Sequence, residues 1–416
     1  MKDFFKRFRI QLLLFLAVLG PGLITAVADN DAGGVATYSV AASLYGMASQ
    51  AFVPLTILLL AITQEIGARM AIVTGKGLGD LIRENYGARV AVFVFMAYFV
   101  VNQGVVLQNV SGMKSALQLF HMPWQISLIF ACFLLIALVI SLSYKNLQRL
   151  FLVTILFYAT YVISAVLSHP DWGQAVKDSF FFGQKEQLPH PSYWFTIIAV
   201  VGTTVTAWGQ FFVNSYITDK GLKPEQLKAE KIEVYVGSVL THFFSWMMAV
   251  AVAYTLFKHG IQVTDGYSAA IAIKPLAGNL ASMLFAVGLF AASFLGLTIV
   301  PLATAYAFTE FFGYERSLNA GFTKGRVFYI FFILQIAISL LISLFPKVNL
   351  FKLTLYADFL NGAILPLIFF FLIKFSEDTR IMGEYASKGF SKFFIRGAAV
   401  VIFAAVVASV FGRLFV

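Results

Sequence analysis

Runs of about twenty apolar residues recur along the chain, centred near 11–40, 49–73, 91–118, 124–143, 150–168, 193–218, 235–257, 279–311, 327–346, 350–374 and 395–415. A helix crossing the hydrocarbon layer takes ~20 such residues, so the pattern predicts eleven membrane-spanning helices. Two of the runs are interrupted. The first carries Gly20-Pro21-Gly22 and then Ala28-Asp29-Asn30-Asp31-Ala32-Gly33-Gly34. A carboxylate near the bilayer centre costs about 2.5 to 3.5 kcal/mol on insertion scales, and a glycine pair further weakens the helix. The sixth run carries Gly202-Thr203-Thr204-Val205-Thr206-Ala207-Trp208-Gly209-Gln210. Unwound main chain at membrane depth persists only around a cavity or a ligand, so both segments are expected to break there. Interruptions five spans apart fit two inverted five-helix repeats whose broken helices meet near the midplane and form the substrate site. On this reading residues 1–168 form the first repeat, 169–192 an external loop, 193–374 the second repeat, and 375–416 a cytoplasmic loop with an eleventh helix outside the core.

Composition sharpens this picture. Of 416 residues, 60% are hydrophobic and only 12% charged, and the mean hydropathy is +0.83, which marks an all-α polytopic membrane protein. Loops other than 169–192 and 258–278 are short, so function is expected among the helices. The net charge is +10, and 22 of the 30 Lys and Arg residues fall in segments that are cytoplasmic if the amino end is cytoplasmic. This distribution predicts a cell-membrane protein with the amino end inside and, after eleven spans, the carboxyl end outside. Scattered over short loops, these charges form no basic face for nucleic acid. Met1–Arg9 is basic, and the apolar run after it is too long and lacks a small-residue cleavage site, so the first span is expected to be retained. Cys132 is the single cysteine, which excludes an intrachain disulfide and a thiolate metal cluster.

Acceptor oxygens released by a broken helix suit a hard cation. Asp31 and Asp29 are the leading candidates, with the carbonyl-bearing Ala28, and Thr204 and Gln210 on the facing segment. Several blocks then carry a resemblance. Gly20-Pro21-Gly22 with Asp31-Ala32-Gly33-Gly34-Val35-Ala36-Thr37, Gln64 to Lys76 with Asp80 to Tyr86, and Asp378 to Tyr385 resemble the Nramp family of divalent metal transporters, over almost the whole chain. The resemblance implies a LeuT-like fold of ten helices in inverted repeats plus an eleventh, with metal bound between helices 1 and 6.

Departures from the family pattern change the expected substrate. The family's DPGN becomes Asp31-Ala32-Gly33-Gly34, which keeps the metal-binding Asp and puts Gly34 where the liganding Asn would be. In helix 6 Ala207 or Thr206 stands where the family has methionine. A soft sulfur ligand favours transition metals, whereas carboxylate, carbonyl and water suit magnesium, which retains several waters. Gly34 and Ala207 are expected to supply room for such a shell, and Asp29 a second acidic oxygen source, as in the Nramp-related magnesium transporters. Helix 3 has Gln108-Asn109 where the family has coupling acids, and Trp208 and Asn214 stand near the helix-6 histidine positions. Proton coupling is therefore not expected. Asp358, near a family glutamine that contacts the ion, is either a gate or outer ligand or a helix-end carboxylate facing external water.

The expectation is thus a transporter of Mg2+ as a partly hydrated ion. Its partners are a divalent cation and the lipid bilayer, with no resident cofactor, nucleic acid or obligate protein partner. A proton-coupled Mn2+/Fe2+ transporter and a divalent-cation channel are the alternatives. An intramembrane enzyme is disfavoured because no nucleophile–base or HExxH motif is present. His242, inside the seventh span, is expected to be a packing residue.

Overall fold

The computed structural model describes residues 20–180, 190–263, 266–315, 318, 321–345 and 350–414. The basic residues Lys2, Lys6, Arg7, Arg9 and Arg316 and the first residues of the first span therefore lie outside the described residues. The helices are α1 (Pro21–Ala28), α2 (Ala32–Tyr45), α3 (Val53–Thr74), α4 (Leu78–Leu119), α5 (Trp124–Ser141), α6 (Tyr144–Leu156), α7 (Ala159–Leu167), α8 (Trp172–Phe180), α9 (Pro191–Thr204), α10 (Ala207–Lys220), α11 (Leu227–Thr255), α12 (Gly266–Phe312), α13 (Arg326–Leu344), α14 (Leu350–Glu377) and α15 (Phe390–Leu414). Among the described residues, ten helical stretches are long and apolar enough to cross a membrane. The interrupted first span, as the pair α1 and α2, makes the eleventh. Both expected breaks are present: Asp29–Asp31 separates α1 from α2, and Val205–Thr206 separates α9 from α10.

The loops hold more helix than hydropathy indicates. The stretch 169–192 contains α8, and α12 starts at Gly266, inside the expected 258–278 loop. Likewise α4 begins thirteen residues before the expected third span and bends at Gly87, where φ is 79°. Hydropathy marks where the lipid is, and a helix that continues into the polar boundary leaves no apolar signal.

Close backbone approaches build the centre. Where α9 crosses α14, a Cβ on Gly202 would lie 2.1 Å from the Asp358 carbonyl and 2.4 Å from the Gly362 nitrogen. Only glycine permits that crossing, and it carries Asp358 against the carboxyl-terminal end of α9, beside the second break. A Cβ on Gly296 of α12 would fall 2.1 Å from Asn109 Oδ1, so the bare face of α12 makes space for the Asn109 side chain. On α1, a Cβ at Gly22 would meet Val234 Cγ2 at 2.7 Å, and one at Gly237 of α11 would meet Ala26 Cβ at 2.9 Å. At the end of this seam Glu233 Oε1 accepts from the main-chain nitrogens of Gly20 at 2.5 Å and Leu23 at 2.9 Å. It thereby caps a helix that has no side-chain cap of its own.

Candidate functional site

The two breaks share one local device. Asp31, extended at ψ −174°, caps α2 by accepting from Gly34 N at 3.0 Å. Thr206, at ψ 147°, caps α10 by accepting from Gly209 N at 3.0 Å. Both read cap-Ala-x-Gly, Asp31 to Gly34 and Thr206 to Gly209. Small polar caps are strong helix starts, which is why each chain restarts its helix at that residue.

Three carboxylates gather around these breaks, all at most 3% exposed: Asp29, Asp31 and Asp358. Asp29 Oδ1 accepts from Thr206 Oγ1 at 2.7 Å, and Oδ2 from Gln64 Nε2 at 3.3 Å. Asp31 Oδ2 accepts from Asn109 Nδ2 at 2.7 Å. Asn109 also receives Ala32 N on its Oδ1 at 3.0 Å and donates to Val105 O at 2.9 Å, which leaves its amide one orientation. Asp358 accepts from the Thr37 hydroxyl and, at 3.1 Å, from Gln108 Nε2. Hydroxyls, amides and main-chain N–H groups make every one of these bonds. No Lys or Arg side chain is among them. Among the described residues no three His, Cys, Asp or Glu side chains converge as a metal centre.

Asn30, in the middle of the first break, is fully engaged. It donates to Thr241 O at 2.6 Å and Thr241 Oγ1 at 2.7 Å, receives Ser245 Oγ on Oδ1 at 2.5 Å, and its carbonyl receives Tyr158 OH at 2.9 Å. These contacts fasten the unwound segment to α11 and to the turn between α6 and α7. Beside the amino-terminal part of α14 a narrow cleft of about 10 Å³, room for about one water, is lined by Gln108, Ser39, Ser111, Ser115 and Thr354.

A sequence profile of the Nramp family, natural resistance-associated macrophage protein-like, matches residues 22–412. The chain belongs to the Nramp family. It is similar to the divalent metal cation transporter MntH of Yersinia pestis (strain Pestoides F), 25% identical over 300 residues that cover 69% of this chain and 71% of that protein. MntH of Yersinia pseudotuberculosis serotype O:3 (strain YPIII) matches with the same figures, 25% over 300 residues. Among solved structures, the manganese transporter of Eremococcus coleocola, bound to an aromatic bis-isothiourea substituted compound, superposes with a TM-score of 0.73 at 16% identity, covering 95% of this chain and 86% of that one. Mhp1, a nucleobase-cation-symport-1 family transporter in a closed conformation, superposes with a TM-score of 0.59 at 15% identity, covering 94% and 90%. At these identities the structures speak to the fold alone. It is the LeuT-like fold, two inverted five-helix repeats and an eleventh helix, in a multi-pass membrane protein.

Within this Nramp chain the expected site residues fall as follows. Asp29, Asp31 and Ala28 line the first break, and Thr204, Ala207 and Gln210 flank the second, all buried. Thr204 Oγ1 donates to Val200 O at 2.6 Å and receives the Tyr38 hydroxyl at 2.7 Å. Ala207 N donates to Asn361 Oδ1 at 2.9 Å, tying α10 to α14. Gln210 is fully buried, and neither of its side-chain polar atoms has a protein partner. Asp358 sits inside α14 and is buried, which removes the expected alternative of a helix-end group facing water. Gly34 opens α2 beside the first break, where a Cβ would stand 2.8 Å from the Asp29 carbonyl oxygen, so a side chain there would crowd the unwound segment. His242 bonds Ser238 O at 2.6 Å and Thr56 Oγ1 at 2.9 Å as a packed, satisfied histidine. Missed in the sequence were Thr37, Gln64, Gln108, Asn109 and Asn361 as direct partners of the carboxylates and breaks. Gln108 and Asn109 had a readable signal: two adjacent amides within an apolar span need partners as buried as themselves.

Proposed function

We propose that this protein carries divalent cations through the gap between its broken helices, Mg2+ foremost, as a partly hydrated ion without obligatory proton coupling. The observation that carries the proposal is the set of three buried carboxylates bonded only by neutral donors. Buried anions left without a countercharge are strongly unfavourable, so a cation is the natural complement. The bonding groups contain oxygen and nitrogen amides and hydroxyls and no thioether or imidazole. That composition favours a hard ion over a soft one. The amides of Gln108 and Asn109 cannot carry a proton across, and Trp208 and Asn214 do not titrate near neutral pH. The membrane potential supplies about 4.6 kcal/mol for a dication per 100 mV, sufficient to drive inward flux. With 22 of the 30 basic residues in segments that share the amino end's side if the chain crosses eleven times, the proposed orientation has the amino end cytoplasmic and the carboxyl end external. The repeat boundaries at 1–168 and 193–374 belong to the same proposal.

Proton-coupled Mn2+ transport is the competing reading, favoured by the manganese transporter whose fold this chain shares. Purified protein in liposomes at a set inside-negative potential separates the two. Mg2+-sensitive dye should report uptake while internal pH stays constant. Mn2+ uptake with matching acidification and no Mg2+ entry would establish the competing reading instead.

A further inference from the structure

The first half of the first broken helix is fastened from end to end to one stripe of α11. Glu233, Gly237, Thr241 and Ser245 follow one another at four-residue spacing and so lie in a row on one face of that helix. At the amino end of α1, Glu233 Oε1 accepts from Gly20 N at 2.5 Å and Leu23 N at 2.9 Å. Midway, a Cβ at Gly237 would lie 2.9 Å from Ala26 Cβ and 3.1 Å from Leu23 Cα, so α1 rests directly on the backbone of α11. Past the carboxyl end, Asn30 Nδ2 donates to Thr241 O and Oγ1 at 2.6 and 2.7 Å, and Asn30 Oδ1 accepts from Ser245 Oγ at 2.5 Å. Glu233, Asn30, Thr241 and Ser245 are each at most 1% exposed. The second half of the other broken helix is bonded elsewhere. In α10, Ser215 Oγ donates to Glu310 Oε1 of α12 at 2.6 Å, and Asp219 Oδ2 accepts from Tyr306 OH of α12 at 2.6 Å. In the proposed orientation α1 and α10 are the two half-helices on the cytoplasmic side.

Pulling α1 off α11 would leave Glu233 a buried carboxylate with its bonds unmade and strip the Asn30 amide of its partners, with lipid alongside to replace neither. The parting that breaks fewer bonds lies between α1 with α11 on one side and α10 with α12 on the other, where the Asp29–Thr206 bond of 2.7 Å crosses. Resting on the transport reading above, we infer that α1 and Asn30 travel with α11 as one body when the site opens toward the cytoplasm, and that Glu233 is the positioning residue that makes the pair rigid. The hinge then falls after Asn30, at the extended Asp31, and the movement draws Asp29 away from Thr206. Tyr158 OH holds the Asn30 carbonyl at 2.9 Å beside that hinge, where displacement is smallest. α1 does not swing out by itself.

A disulfide between α1 and α11 tests this. A Cβ at Gly22 would lie 2.7 Å from Val234 Cγ2, which puts Gly22→Cys and Val234→Cys within disulfide reach. Cys132→Ala removes the single native cysteine from the background. In the full-length protein in liposomes, with Mg2+ or Mn2+ as the probe ion, the oxidised and reduced forms of this pair should take up the ion at the same rate. Uptake that oxidation stops and a reductant restores overturns the inference, because α1 then has to leave α11. Glu233→Ala is the independent variant, and it decides the matter if the cysteine pair does not assemble. It frees the far end of α1 while Asn30 keeps the break in place, so the maximal rate should fall about ten-fold with half-saturation unchanged. Glu233→Gln, which keeps an acceptor oxygen, should recover much of that rate. A folded Glu233→Ala protein with the wild-type maximal rate overturns the inference as well. If wild-type protein moves neither ion, the transport reading itself fails, an outcome distinct from wild-type uptake that oxidation of the pair stops.

Discussion

The two helix breaks use one backbone device and differ in charge. At the first, the cap is a carboxylate, and the segment Asp29–Asp31 is bonded to α3, α4, α10, α11 and Tyr158. At the second, the cap is the hydroxyl of Thr206, and the break is two residues long, with Asn361 holding Ala207 N. Asp29 joins them, its carbonyl against Gly34 and its carboxylate against Thr206 and Gly209. Equivalent cap positions thus carry different chemistry. In the proposed transport the first break supplies the negative charge that attracts a cation, and the second a neutral wall that lets it leave.

Replacing the charged cap should have the largest effect. Asp31→Ala is expected to bring Mg2+ uptake in liposomes to background while the protein still elutes as a folded species. Undiminished uptake would move the site elsewhere. Gly34→Asn, which restores the family's residue, comes next. Its Cβ would stand 2.8 Å from the Asp29 carbonyl, and such overpacking costs typically 1–3 kcal/mol, so about that loss of stability should accompany reduced Mg2+ uptake and no gain in Mn2+ preference. On the second break, Ala207→Met should shift competition between Mn2+ or Cd2+ and Mg2+ toward the softer ions, because a thioether is then present. An unchanged ratio would show that Ala207 does not face the ion. Thr206→Val should be the mildest. It removes the cap of α10 and one bond to Asp29, so a melting temperature lowered by the equivalent of about 1 kcal/mol is expected with uptake retained.

The sequence revealed the breaks because a carboxylate or a cluster of hydroxyls in an apolar run is a local anomaly. Asp29, Asp31 and Thr206 could be named for that reason. Partners such as Gln108, Asn109 and Thr37 stayed hidden as partners, since each is bonded to a group far away in the chain, Gln108 to Asp358 of α14 and Thr37 to the same carboxylate. Asp358 stayed open in the sequence between a gate or outer ligand and a helix-end carboxylate, and the Gly202–Gly362 crossing carries it into the core.

Locating the ion tests the central claim most directly. Crystals or vesicle-embedded particles of the full chain loaded with Mn2+ as a heavier stand-in should show one metal peak, by anomalous scattering or density, against Asp31 between the two breaks, with oxygen or water in every contact. A peak away from Asp31, or a break closed into continuous helix with its carboxylates turned from α10, would contradict the account.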